Sequence, residues 1–118
     1  MHTDGPDNFC LQVIGRKRFV LFSPTQWENM YLPSQGEHPR LTLNWSNVGS
    51  IFWGAHGEGF AEKLAKFPLL RETRPLVMDL HPGDLYYQPA GWGHTVENLD
   101  TAVMVNFWLK TQMVFSRQ

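Results

Sequence analysis

The sequence predicts an all-β domain with minor helices, and three observations carry that expectation. Short runs rich in β-branched and aromatic residues recur along the chain, each bounded by Gly, Pro, Asn or Asp. The run Ala102–Leu109 alternates, with Val103, Val105, Phe107 and Leu109 on one face and Met104, Asn106 and Trp108 on the other. Only two stretches read as helical: a capped turn over Ser23–Tyr31, and Glu58–Phe67, where Phe60, Leu64 and Phe67 recur at helical spacing.

In chain order, Phe9–Ile14 and Arg16–Phe22 read as two strands meeting at Gly15. Cys10 falls inside the first of them and reads as a small buried hydrophobe. Between Ser34 and Gly59 the pattern is weak: polar turns, a short apolar segment near Leu41–Leu43, and glycines around His56. His38, His56 and His81 read as loop histidines. The glycine-rich run around His56 lacks the Gly-Lys-Ser/Thr of a phosphate loop. Leu76–Leu80 is a strand ending at the turn Pro82-Gly83-Asp84. Leu85–Gln88 follows, Pro89-Ala90-Gly91 turns the chain, and His94–Asn98 reads as the returning strand of a hairpin, with Asn98 as a turn former.

At 118 residues the chain is expected to be a single domain, 1–118, with enough apolar sequence for a core. A net charge of −1 gives no reason to expect a nucleic-acid or membrane surface, and no apolar run approaches a transmembrane span. One cysteine excludes a disulfide framework and suits a reducing compartment, the cytoplasm first and the nucleus second.

The candidate site comes from three residues. In an extended segment, side chains two apart point the same way, so His2 and Asp4 of His2-Thr3-Asp4 converge on one point. His94, from the far end of the chain, would complete two imidazoles and a carboxylate on one face of a metal. Such a set leaves the opposite positions open, as in non-haem Fe(II) oxygenases. His56-Gly57-Glu58 is a competing pair, placed among glycines in a loop.

Gly83, Pro89, Gly91, His94 and Asn98 match the second cupin motif, G-x5-P-x-G-x2-H-x3-N, at every defined position. With His2-Thr3-Asp4, the chain resembles the JmjC-type, cupin-like 2-oxoglutarate oxygenases. The likeness is greatest to the branch of the asparaginyl hydroxylase acting on hypoxia-inducible factor. It rests further on Asn8, Lys17, Phe67-Pro68, Pro82-Gly83-Asp84, Trp92 and Val105-Asn106-Phe107-Trp108, in that branch's order and spacing.

The resemblance implies a double-stranded β-helix, the cupin or jelly-roll barrel, of which six or seven strands are legible here. The family carries strands and helices ahead of its His-x-Asp, so the barrel is expected to be incomplete at its N-terminal side. The resemblance also implies Fe(II) on His2, Asp4 and His94, with 2-oxoglutarate as cosubstrate. Lys17 would hold the distal carboxylate, helped by Asn8 and Asn106, while Arg16 and Arg18 point to the other face as surface residues. The implied reaction is hydroxylation of a protein side chain or a small molecule, and a homodimer is allowed. Two readings stand beside it: a non-catalytic module that binds metal or a partner, and a cupin metalloenzyme, such as an isomerase, that does not use 2-oxoglutarate. Lys17 at its family spacing argues against the last.

Overall fold

The fold is taken from a computed structural model and is described for residues 1–32, 43–45 and 60–109. Eight strands occur among them: β1 (His2–Asp4), β2 (Asp7–Ile14), β3 (Lys17–Phe22), β4 (Leu43–Trp45), β5 (Leu76–Leu80), β6 (Leu85–Gln88), β7 (Gly93–Asn98) and β8 (Val103–Leu109). They form two sheets, ordered β4-β1-β7-β3-β5 and β6-β2-β8, in which every pairing is antiparallel. One helix, α1 (Phe60–Lys66), and two 3₁₀ turns, Pro24–Gln26 and Pro68–Glu72, complete the described elements. This helix-poor, two-sheet arrangement agrees with the expected cupin or jelly-roll fold. β1 is the extended His2-Thr3-Asp4 segment read from the sequence, whereas β4, at three residues, is too short for alternation to register. His38, His56 and most of the 34–59 stretch lie outside the described residues.

The chain moves between the sheets at sharp corners. β2 belongs to the three-stranded sheet and β3 to the five-stranded one, and Gly15 turns the backbone between them at φ 65°. The Gln12 side-chain amide donates to the carbonyls of Ile14 (2.7 Å) and Gly15 (2.9 Å), and the Asp100 carboxylate accepts from the Arg16 backbone and guanidinium. The expected hairpin between Leu85–Gln88 and His94–Asn98 is not formed. β6 pairs with β2 and β7 pairs with β1 and β3, so Pro89–Trp92 is a crossing between sheets. Turn residues mark where a chain bends; they do not say whether the next strand rejoins the same sheet. Asn98 ends β7 opposite Lys17 and makes no turn. Ser23 precedes the first 3₁₀ turn without capping it, its hydroxyl instead meeting that of Thr25 at 2.6 Å.

Two apolar clusters hold the five-stranded sheet. On one face Val20 and Phe22 pack with Met1, Met30, Leu32 and Leu70 beneath the helical segments. On the other, Phe19, Leu21 and Leu80 meet Tyr86 and Met104 from the three-stranded sheet. Alternation along β3 feeds both: fully burying one such side chain contributes about 1.5–3 kcal/mol. Arg16 and Arg18 do leave the inter-sheet space, and each is paired there, Arg16 with Asp100 at 2.9 Å and Arg18 with Asp79 at 2.7 Å. Arg18 lies across from Asp79 in the strand register, and each guanidinium holds its partner carboxyl below the usual range.

The outer face of the three-stranded sheet is different. Leu85, Tyr87, Val103, Val105, Phe107 and Leu109 are all exposed there, and β8 carries no charged residue. Among the described residues β8 pairs only with β2, leaving its other edge without a strand. An uncharged, apolar edge is a template for association, and a lysine on it opposes that. Phe107→Lys is therefore expected to reduce light scattering by concentrated protein at an unchanged thermal midpoint. Undiminished scattering would show that this edge does not drive association.

Candidate metal centre

Antiparallel pairing of β1 with β7 sets His2 opposite His94 and Thr3 opposite Gly93. Two-residue periodicity then turns Asp4 to the same side as His2, while Thr3 is buried on the other. His2 Nε2 lies 3.5 Å from Asp4 Oδ1, and His94 Nε2 lies 3.5 Å from Asp4 Oδ2. The two imidazoles meet edge to face, centroids 4.2 Å apart. One ligand atom from each of the three residues falls within 4.8 Å of the others. His2 is held by strands on both sides, since β1 pairs with β4 as well as β7.

The loop ahead of His94 is tied to this cluster. Gly91, at φ 75°, donates its N–H to the Asp4 carbonyl at 2.9 Å and accepts the Trp27 indole N–H at 2.8 Å. Ala90 N–H donates to Asp7 Oδ1 at 2.7 Å. His94 Nδ1 sits 3.1 Å from the Trp92 carbonyl. A carbonyl only accepts, so Nδ1 carries the proton and Nε2 keeps its lone pair toward Asp4. Burial pushes both His94 and His2 below the ordinary histidine range; the Trp92 carbonyl and Asp4 oppose the shift at His94, and Asp4 opposes it at His2. Neutral imidazoles beside a carboxylate are the protonation states a metal requires.

The cluster opens on a cavity of about 530 Å³ between the sheets. Its lining includes all six residues selected from the sequence: His2, Asp4, Asn8, Lys17, His94 and Asn106. Asn8 is buried and its Oδ1 has no hydrogen-bond partner among the described residues. Lys17, half-buried, has no carboxylate within ion-pair distance among the described residues. Asn106 is the most open of the six, facing Cys10 across the β2–β8 register. Cys10 is buried as expected and lines the same cavity; burial and the nearby Asp4 push its thiol up to about 11. Trp92 packs in the inter-sheet cluster, whereas Trp108 lines the cavity.

One residue of the site was not singled out in the sequence. Gln88 is buried, and its side-chain nitrogen lies 3.3 Å from Asp4 Oδ2 and 3.1 and 3.3 Å from the two ring nitrogens of His94. Its signal was alternation in β6: with Leu85 and Tyr87 outward, Tyr86 and Gln88 must face inward.

The sequence pattern of the family described as a cupin-like domain matches residues 1–114. The chain belongs to the cupin-like domain family. Relatives of this cupin-like domain include human (Homo sapiens) tRNA wybutosine-synthesizing protein 5, 35% identical over 108 residues, which are 91% of this chain and 29% of that protein. JmjC domain-containing protein F of Dictyostelium discoideum is 30% identical over 115 residues, 92% of this chain and 23% of that protein. An HSPB1-associated protein 1 homolog of Danio rerio is 33% identical over 107 residues, 90% of this chain and 21% of that protein. The cupin-like domain thus spans less than a third of the length of these relatives. They establish the JmjC-type kinship, and the finer likeness to the asparaginyl hydroxylase branch stays an expectation from the motifs.

The donor set of the cupin-like domain fits the metal its family implies. Two nitrogens and one carboxylate oxygen suit a divalent first-row ion and leave positions for other ligands. The unpartnered Asn8 oxygen and the Lys17 ammonium in the same cavity give an oxygen-rich anion something to bind.

Proposed function

We propose that the chain is the catalytic domain of a Fe(II)- and 2-oxoglutarate-dependent dioxygenase that hydroxylates a protein side chain or a small molecule. The observation that carries this is the convergence of His2, Asp4 and His94 on a cavity that also holds Lys17. Iron and 2-oxoglutarate, when bound, supply the oxidising chemistry. The chain's own residues do the rest. His2, Asp4 and His94 hold the ion and neutralise part of its charge through one carboxylate. Lys17 pairs with the distal carboxylate of the cosubstrate, an anion that is costly to bury unpaired. Asn8 and Asn106 orient it through their amides, and Phe19, Val96 and Met104 line the cavity as apolar walls that keep water from it.

The names of the relatives do not select a substrate: one is named for tRNA wybutosine synthesis and another for association with HSPB1. A net charge of −1 favours a protein or small molecule over a polyanion. A reducing compartment, cytoplasm or nucleus, suits a free buried thiol. No helix among the described residues is long and apolar enough to cross a membrane.

The test is succinate formation from 2-oxoglutarate, dependent on both Fe(II) and oxygen. Metal binding without succinate would sink the dioxygenase reading. Lys17→Ala is expected to raise the KM for 2-oxoglutarate by at least about 30-fold, the low end of the cost of removing one partner of a buried charge pair. Its affinity for Co(II) should not change. An unaltered KM would remove Lys17 from the cosubstrate site and favour a metalloenzyme that does not use 2-oxoglutarate.

A further inference from the structure

We propose that Gln88 is the positioning residue of the triad, holding Asp4 and His94 at once through a single amide group. This deepens the reading of the site as a metal centre and rests on it. Gln88 is 2% exposed. An amide buried to that degree is costly unless its hydrogens find acceptors. Among the described residues its nitrogen lies within hydrogen-bond distance of triad atoms: Asp4 Oδ2, and both nitrogens of His94.

The two kinds of contact differ. The amide donates a long hydrogen bond to Asp4 Oδ2 at 3.3 Å. Toward His94 it stands nearly equidistant from Nδ1 and Nε2, at 3.1 and 3.3 Å. A hydrogen bond in the ring plane would bring one nitrogen close and leave the other well beyond. Near-equal distances put the amide over the face of the imidazole, where an N–H meets the π-system. Nδ1 is already committed to the Trp92 carbonyl. The ring is therefore fixed at its edge by Trp92 and at its face by Gln88.

For the carboxylate the consequence is directional. Oδ2 is engaged by a neutral donor, and Oδ1 is turned to the side of His2 Nε2. A carboxylate with one oxygen so engaged is held for one-atom ligation, and outer partners of this kind change metal affinity by about 10–100-fold. The backbone of Gln88 is rigid enough for the task, since it sits in β6 paired directly with Asn8 of β2. Neutrality matters too: the amide orients Asp4 without competing for the ion.

The experiment titrates Co(II) without oxygen into the full chain and into Gln88→Met and Gln88→Glu. Gln88→Met keeps length but removes the donor, and should bind Co(II) about 10–100-fold more weakly with a shifted visible absorption. Gln88→Glu keeps the shape and offers oxygen where the N–H stood. It should bind Co(II) more tightly than the parent chain, with a changed spectrum. Opposite directions in two variants of equal size are not what a packing role produces. If Gln88→Met does not fold, Gln88→Glu decides alone by the same criterion. Unchanged affinity and spectrum, or equal loss in both, would overturn the assignment. Should the parent chain bind no Co(II), the metal centre itself falls and takes this inference with it. Variants that match a binding, succinate-forming parent remove Gln88 only.

Discussion

His94→Ala is expected to abolish Fe(II)-dependent succinate formation and to weaken Co(II) binding by more than about 100-fold. That bound is conservative, because losing an outer partner of a ligand already reaches it. His94 contributes one of three ligand atoms within 4.8 Å, and its ring orientation is set by the Trp92 carbonyl. Asp4→Ala should do the same while also leaving the Gln88 amide without its acceptor. Two measurements separate ligand loss from unfolding. Thermal midpoints taken without metal should stay close to that of the parent chain, and the stabilisation that added Co(II) gives the parent should vanish in both variants. Succinate formation that persists in either variant would mean that the triad is not where the chemistry happens.

The largest expected effect on stability is at Gly15. A Cβ there would overlap the Thr101 carbonyl oxygen and press on the Asp100 carboxylate, and the backbone is already at φ 65°. Neither neighbour can yield cheaply, since Asp100 is what fixes Arg16 at the corner. Gly15→Ala should cost about 2–4 kcal/mol, the dihedral strain and the steric clash together. Gly83→Ala is the internal comparison: it shares a positive φ, 95°, but a Cβ meets nothing within 4 Å among the described residues. Only the dihedral term remains there, about 1–2 kcal/mol. Denaturant midpoints should rank the parent first, Gly83→Ala next and Gly15→Ala last. Equal losses would mean that the packing around the β2–β3 corner carries no weight. The corner also aims β3, whose first residue is Lys17, so Gly15→Ala should weaken cosubstrate binding as well.

The sequence made some of this legible for a plain reason. Alternation in Ala102–Leu109 put Met104, Asn106 and Trp108 on one face, and those three line the cavity. His2 and Asp4 two residues apart, and Asn8 and Lys17 at the family spacing, were readable as candidates because each needs only local geometry to face inward. What was not legible depends on where strands go. The Pro89-Ala90-Gly91 turn suggested a hairpin, while the structure uses it to cross from one sheet to the other. Gln88 passed unnoticed because alternation in β6 turns it inward without saying what it meets there until β6 is laid beside β2. Arg16 and Arg18 looked like solvated charges because Asp100 and Asp79 lie 84 and 61 residues away.

The register of β1 has a kinetic meaning. His2 faces His94, and β2 lies along β8, so the three candidate metal ligands exist as a set only after these distant segments have met. Closing so large a loop costs entropy before any contact repays it, and folds dominated by such pairings assemble slowly. A divalent ion can favour the closed form alone, since no partial structure offers all three ligands. If the proposed centre takes up metal, that uptake reports on complete folding, and refolding followed by Co(II) absorbance should trail refolding followed by strand content.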